Sequence, residues 1–496
     1  MGSMRFLVPQ RDRLASNAIE RAYMAGSDEI PWQSRIQWTA DGLVVERDQS
    51  DSGNFFFPCP IAGHGELVLS TGSLMERERP YHLQVELARG TLNRLRNQLG
   101  QWESLGMSVP SAIRPPLAAA LEHLSLAATS QQQPDAAAEQ AALATERALD
   151  AIVLLSDSYV EQALAARHQN TGKLATLLGF NLGGVRPADP VASQLALTFN
   201  TALVPFLWPE IEGRQGKHDW TLADAQIEWC RSRGLKVCGG PLLRVDKWSL
   251  PDWMYLWGED DADSFRTCVE EFIQAVVTRY RGKVQLWQCA AGLNVKNDFA
   301  QDERERLRLA VKTIESIRRV DPRALVVITI DQPWGAFMGR EDCDLSPLHF
   351  ADALVRADMG LAGIGLEINL GYAIEGSEPR DVLEFGRQMD RWSTLGLPLL
   401  VSLSVPSSSA GDLRARSRAA SVNYSAGSEL SGDAQRDWAK KYLPVLLAKQ
   451  PVQGIIWNQL LDSQPHPFSH GGLFDAQDRA KPILDVLESL RREHLV

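Results

Sequence analysis

The sequence predicts an α/β protein: a (β/α)8 TIM barrel preceded by an N-terminal β-sandwich-like domain and a helical connector. Three observations carry this. From about Leu174, eight apolar runs recur with amphipathic stretches between them, the count a closed barrel needs. Those runs are continuously hydrophobic rather than alternating, which marks strands buried on both faces of a parallel sheet. Ahead of them the periodicity is first that of strands and then that of helices. The expected domains are 4–88, sandwich-like and a candidate carbohydrate-binding unit, then 89–170 as connector and 171–496 as barrel.

In the first domain, "RIQWTADGLVVER" places Asp41-Gly42 between two strand-like runs, a hairpin signal. "YHLQVEL" alternates, with Tyr81, Leu83, Val85 and Leu87 on one face, and reads as a half-buried strand. "NFFFP" fits either a core strand or an exposed aromatic patch. Thr91 is placed to cap a helix carrying Leu92, Leu95, Leu99 and Trp102 on one face. After the polar break "TSQQQPD", Asp135 starts a long Ala-rich helix toward Arg167. The eight barrel strands are "LLGFN", "TALVPF", "LKVCGG", "VQLWQCA", "ALVVITID", "GIGLEIN", "LPLLVSLS" and "GIIWNQL". An open doubly wound sheet is the alternative, but no glycine-rich phosphate fingerprint follows the first strand.

Composition narrows the function. The 496 residues carry a net charge of −11 and are 44% hydrophobic. Nucleic-acid binding relies on Lys and Arg neutralising phosphates, so an acidic chain argues against that partner. No run approaches a membrane-spanning length. Six cysteines lie scattered without paired zinc spacing, which favours a reducing, cytoplasmic compartment over a disulfide framework. "MGSM" reads as a scar ahead of a native start at Met4, with no secretory apolar run after it. No cofactor is expected and no metal: His466 and His470 in "HPFSH" are four apart, but Pro467 opposes the helix that would converge them.

Three stretches resemble glycoside hydrolase family 10, the xylanase family. "FNTALVPFLWPEIEGRQGKHDWTLAD", "GLKVCGGPLLRVDKWSLPDWM" and "GIIWNQLLDSQPHPFSHGGLFDAQDRAKP" are similar to its second-strand, third-strand and closing motifs. The resemblance covers the last two-thirds of the chain and implies a retaining glycosidase barrel. Such enzymes use two carboxyl groups about 5–5.5 Å apart, one acid/base and one nucleophile. On the fourth strand, "WQCAAG" sets Gly292 where the family has its acid/base glutamate and Ala291 where it has an asparagine. On the seventh, "VSLSV" sets Leu403 at the nucleophile position. The third-strand histidines and tryptophan become Gly240, Val245 and Arg244. None of these replacements supplies a carboxyl group.

Glu367 and Asp331, ending the sixth and fifth strands, are the candidates for a relocated catalytic pair. Pairing with Arg244, Lys247 or Lys296 is the structural alternative. Trp208, Asp246, Asn294, Asn369, Trp457, Asn458 and Asp462 are the candidate substrate-binding residues, since Trp faces stack on sugars and the polar groups meet hydroxyls. Trp248 and Trp334 read as packing. The Ser-rich segment 405–432 reads as a structureless loop, a lid or a disordered segment, whose Arg414, Arg416 and Arg418 face an acidic ligand or solvent.

The expected protein is thus a family-10-like barrel that binds a polysaccharide or oligosaccharide, or serves as a scaffold, without the family's double displacement. Two alternatives stand beside it: an active glycosidase or lyase using Glu367 and Asp331, and an assembly protein with a plugged barrel. A homo-oligomer is left open.

Overall fold

A computed structural model describes residues 2–188, 191–256, 262–297, 302–372, 376–417, 422–427 and 429–496. The N-terminal part forms two four-stranded sheets. One runs Ser34–Thr39, Gly42–Arg47, Gly2–Leu7, Tyr81–His82; the other runs Pro31–Trp32, Tyr23–Ala25, Asn54–Ile61, Gly65–Ser70. The expected hairpin forms with Thr39 paired to Gly42. Gly42 takes φ 134°, and a Cβ there would run into the Phe6 carbonyl, so only glycine fits the turn. Phe6 of one sheet stacks on Phe55 of the other with ring centroids 4.8 Å apart. "NFFFP" is core: Phe55 and Phe57 fill the space between the sheets. Phe56, on the opposite face, stacks on Tyr23 and lies beneath Arg380 of the barrel.

"YHLQVEL" corrects the sequence reading. Only Tyr81–His82 is strand, and Leu83 already begins a helix that runs to Ser104. Leu83, Val85, Glu86, Leu87 and Ala88 are all buried, so the alternation of residue types does not report one wet and one dry face. Thr91 lies inside this helix rather than capping it; its Oγ1 donates to the Leu87 carbonyl. A second helix, Arg114–Thr129, was not expected. The long helix Pro134–Thr171 starts where Asp135 suggested. The second and third helices pack together as a hairpin through alanines, Ala120, Ala127, Ala137 and Ala141 among them. Trp102 stacks on Tyr159 at 4.5 Å, tying the first helix to the third.

All eight predicted barrel strands form: Leu177–Asn181, Thr201–Val204, Lys236–Gly239, Leu286–Ala291, Leu325–Asp331, Gly363–Asn369, Leu399–Ser404 and Val452–Trp457. Every neighbouring pair is parallel, and the eighth strand closes on the first through Gly454 and Leu177. One end of the interior is filled by Leu177, Leu203, Cys238, Leu286, Val327, Leu400 and Ile456. These are inward positions of successive strands, the layered filling a small barrel requires. All six cysteines are free, and among the described residues no helix is long and apolar enough to cross a membrane.

Buried ion pairs fasten the N-terminal part to the barrel. Arg21 binds Glu66 and Glu378, each at 2.5 Å, and Arg94 binds Asp381 at 2.5 Å. Glu378 and Asp381 lie in the segment between the sixth strand and the helix Val382–Ser393. Asp381 caps that helix by accepting from the Leu383 and Glu384 amides.

Candidate functional site

At the C-terminal ends of the strands lies a cavity of about 810 Å³, within the size range of ligand sites. The inward alternation that packs the apolar layer delivers polar groups two or four residues further along the strands. Asn181, Gln288, Asp331, Glu367, Ser402 and Asn458 all line the cavity.

Arg244, just after the third strand, holds the floor together. Its guanidinium hydrogen-bonds Glu367 and lies 3.9 Å from Asp331. Asp331 and Glu367 are register partners on adjacent strands, so one cation serves both. Burial alone pulls Arg244 down, but the charges of Glu367, Asp331 and Asp246 outweigh it and hold the guanidinium above its ordinary value. The other Glu367 oxygen accepts from Asn369 at 3.0 Å and Asn458 at 3.2 Å. Asn458 in turn accepts from Asn181. Glu367 is therefore surrounded by donors and is only 4% exposed.

Two polar atoms in the wall have no partner among the described residues: Asn369 Oδ1 and Gln288 Oε1. Gln288 was not among the sequence candidates. Its neighbours Trp287 and Cys289 made the run read as uniformly apolar, whereas its place on the inward face is what marks it.

The remaining candidates separate. Asp246 lines the cavity and accepts from the Trp248 amide at 2.8 Å. Asn294 is a clamp on the Asp331 backbone, donating to its carbonyl at 2.8 Å and accepting from its amide at 2.9 Å. Asp462 pairs with Lys481 at 2.6 Å in the core and does not line the cavity. Trp457 is buried outside the cavity, its indole N–H donating to the Gly471 carbonyl. Trp208 lines the cavity but is 2% exposed, stacked on Phe272 at 4.4 Å, with its N–H on Glu212. Trp334 is packed edge-on against Phe385. Trp248, read as packing, is 50% exposed at the cavity rim.

Gly292 sits at φ 72° immediately past the fourth strand, and a Cβ built there would point at Arg244 and Asp331, 3.5 and 3.9 Å away. Leu403 does not line the cavity. It lies in the large core outside the barrel wall, while Ser402 lines the cavity. Side chains alternate along a strand, so a comparison slipped by one residue exchanges inside for outside. The inward residue of the seventh strand at this level is Ser402.

Within the segment 405–432, described residues form regular structure where a structureless loop was expected. Ala415–Ser417 pairs with His466–Phe468 as a two-stranded parallel ribbon. Asp412 clasps it, accepting from His466 Nε2 at 2.9 Å and from the His470 amide at 3.3 Å. Arg416 lines the cavity, Arg414 is exposed, and Arg418 lies outside the described residues. Among the described residues no group of His, Cys, Asp or Glu is arranged to hold a metal ion.

Residues 201–311 match the family described as Glycosyl hydrolase family 10. The Hypocrea jecorina (strain QM6a) protein "Endo-1,4-beta-xylanase 3" is 29% identical over 160 residues, 32% of this chain and 44% of that one. The match thus spans less than half the length of that curated relative. Among solved structures, xylanase 10B from Thermotoga petrophila RKU-1 is 18% identical with a TM-score of 0.48, covering 66% of this chain and 96% of that one. Xylanase 10B from Thermotoga maritima is 17% identical with a TM-score of 0.48, covering 68% and 98%.

Proposed function

We propose, taking as premise a glycoside hydrolase family 10-like (β/α)8 barrel, that this protein binds a polysaccharide in its cavity without cleaving it by double displacement. The observation that carries the reading is Arg244 lying between Glu367 and Asp331. A glycosidase acid must hand a proton to the leaving oxygen. Among the described residues the hydrogen-bond partners of the Glu367 carboxyl are all donors, Arg244, Asn369 and Asn458, which is the surrounding of an acceptor. The resemblance puts Gly292 and Leu403 where the family keeps its glutamates; Ser402, beside Leu403, is the one that lines the cavity, and none of the three bears a carboxyl group.

The cavity supports binding. It offers amide and carboxylate partners for hydroxyls and an exposed Trp248 at the rim. An open space of this size also weighs against a barrel plugged by its own side chains. Affinity electrophoresis against a panel of plant and algal polysaccharides tests the reading. Retardation by at least one of them is expected, and retardation by none would overturn it.

A second reading rests on the adjacency of Asp331 and Glu367 across the fifth and sixth strands. Adjacent strands lie about 4.8 Å apart, which suits a relocated pair. It requires release of reducing ends by the wild type that Glu367→Gln abolishes.

A further inference from the structure

We propose that the cavity rim selects anionic sugars, with Trp248 as the stacking platform and Lys247 and Arg416 as the cations that read a carboxylate or sulfate. This inference rests on the binding reading and names its ligand class.

Trp248 follows the third strand, where the chain turns at Asp246. With half of its surface open beside a cavity, its indole differs from Trp208, Trp334 and Trp457, which are all buried. A flat apolar ring held at a polar cavity's edge is the usual surface for the apolar face of a sugar ring. Two cations lie over its ring. Lys247 Nζ lies 5.0 Å from the ring centroid and the Arg416 guanidinium 5.2 Å. They come from different parts of the chain, the third-strand loop and the ribbon strand Ala415–Ser417, and both line the cavity.

The charge balance separates rim from floor. On the floor, Arg244 is matched by Glu367 and Asp331. At the rim, neither Lys247 nor Arg416 belongs to any ion pair found among the described residues, although both are exposed. Of the nearby acids, Asp246 is engaged by the Trp248 amide and the field of Arg244. Glu210 faces Arg416; burial raises its carboxyl above the ordinary value and the Arg416 charge only partly opposes this. Among the described residues the two cations at the half-exposed Trp248 ring are thus without an ion-pair partner. A sugar stacked on Trp248 and bearing an acidic group would supply one, through charge-assisted hydrogen bonds from the guanidinium and ammonium.

The test compares binding of neutral xylan, polygalacturonate and a sulfated carrageenan to the full chain by affinity electrophoresis and calorimetry. Lys247→Ala, Arg416→Ala and Trp248→Ala are measured beside the wild type. These side chains are exposed, and unchanged melting temperatures will verify that each variant folds. The wild type should bind at least one anionic glycan more tightly than neutral xylan, with affinity falling as salt rises. Arg416→Ala and Lys247→Ala should each weaken anionic binding by roughly tenfold and leave neutral binding unchanged. Trp248→Ala should weaken both. Preference for polygalacturonate identifies a carboxylate reader, and preference for carrageenan a sulfate reader. Neutral xylan bound as tightly as either, or anionic binding indifferent to Arg416→Ala and Lys247→Ala, would overturn the inference while the binding reading stands. No binding of any glycan would overturn both.

Discussion

Arg244 and Glu367 pair across the floor of the barrel, one from just after the third strand and the other from within the sixth. The Glu367 side chain is only 5% exposed, and Arg244 is its ion-pair partner there. Arg244→Ala is expected to destabilise the fold by about 3 kcal/mol, the usual cost of leaving a buried charge unpaired. The double change Arg244→Met with Glu367→Met should recover most of it. Urea unfolding of the three proteins measures both values.

Gly292 lies at a positive φ, and what a side chain there would meet is Arg244 and Asp331. Gly292→Ala should therefore cost about 1–2 kcal/mol through the left-handed backbone alone. Gly292→Glu would set a carboxylate onto the Arg244 guanidinium and leave the seventh strand with Ser402. Reducing-end assays should find no hydrolysis by that variant.

Arg21 reaches from the N-terminal sheets to Glu66 and Glu378, all three being buried. Arg21→Ala strands two carboxylates at this junction and is expected to cost on the order of 3–5 kcal/mol. Limited proteolysis of the variant should release the barrel from the sheets, which the wild type resists under the same conditions.

Asp412 clasps the ribbon over the mouth. Burial pushes its carboxyl up, but hydrogen bonds from the Arg414 and His470 amides and the contact with His466 prevail and hold it below its ordinary value of 3.8. A carboxylate with a depressed folded pKa adds stability above its unfolded pKa and loses it as pH falls through the folded one. Asp412→Asn should thus melt below the wild type at pH 6, and the gap should close as pH drops below 3.8. Scanning calorimetry of both proteins across that range is the measurement.

What the sequence disclosed follows from how strongly each feature is constrained. A strand buried on both faces must be apolar throughout, so "ALVVITID" and its seven counterparts could be read directly. The helix beginning at Leu83 is buried on nearly all sides in its first turns, which erased the 3.6-residue signal and left an accidental alternation. Glu367, Asp331, Asn369 and Asn458 were legible because polar residues ending apolar strands mark a barrel mouth. The tryptophans were not. Whether an indole is exposed depends on its neighbours: Phe272 covers Trp208 and Gly471 receives the N–H of Trp457, while the ribbon leaves Trp248 half open. Leu403 and Ser402 show a further limit, since which of two neighbouring strand residues faces the cavity is set by the pleat and not by residue type.

The most direct test of the account is quantitation of reducing ends from a polysaccharide that the protein retains, with wild type and Glu367→Gln side by side. The account predicts retention with no release above a protein-free control for either. Release by the wild type that disappears in Glu367→Gln would contradict it.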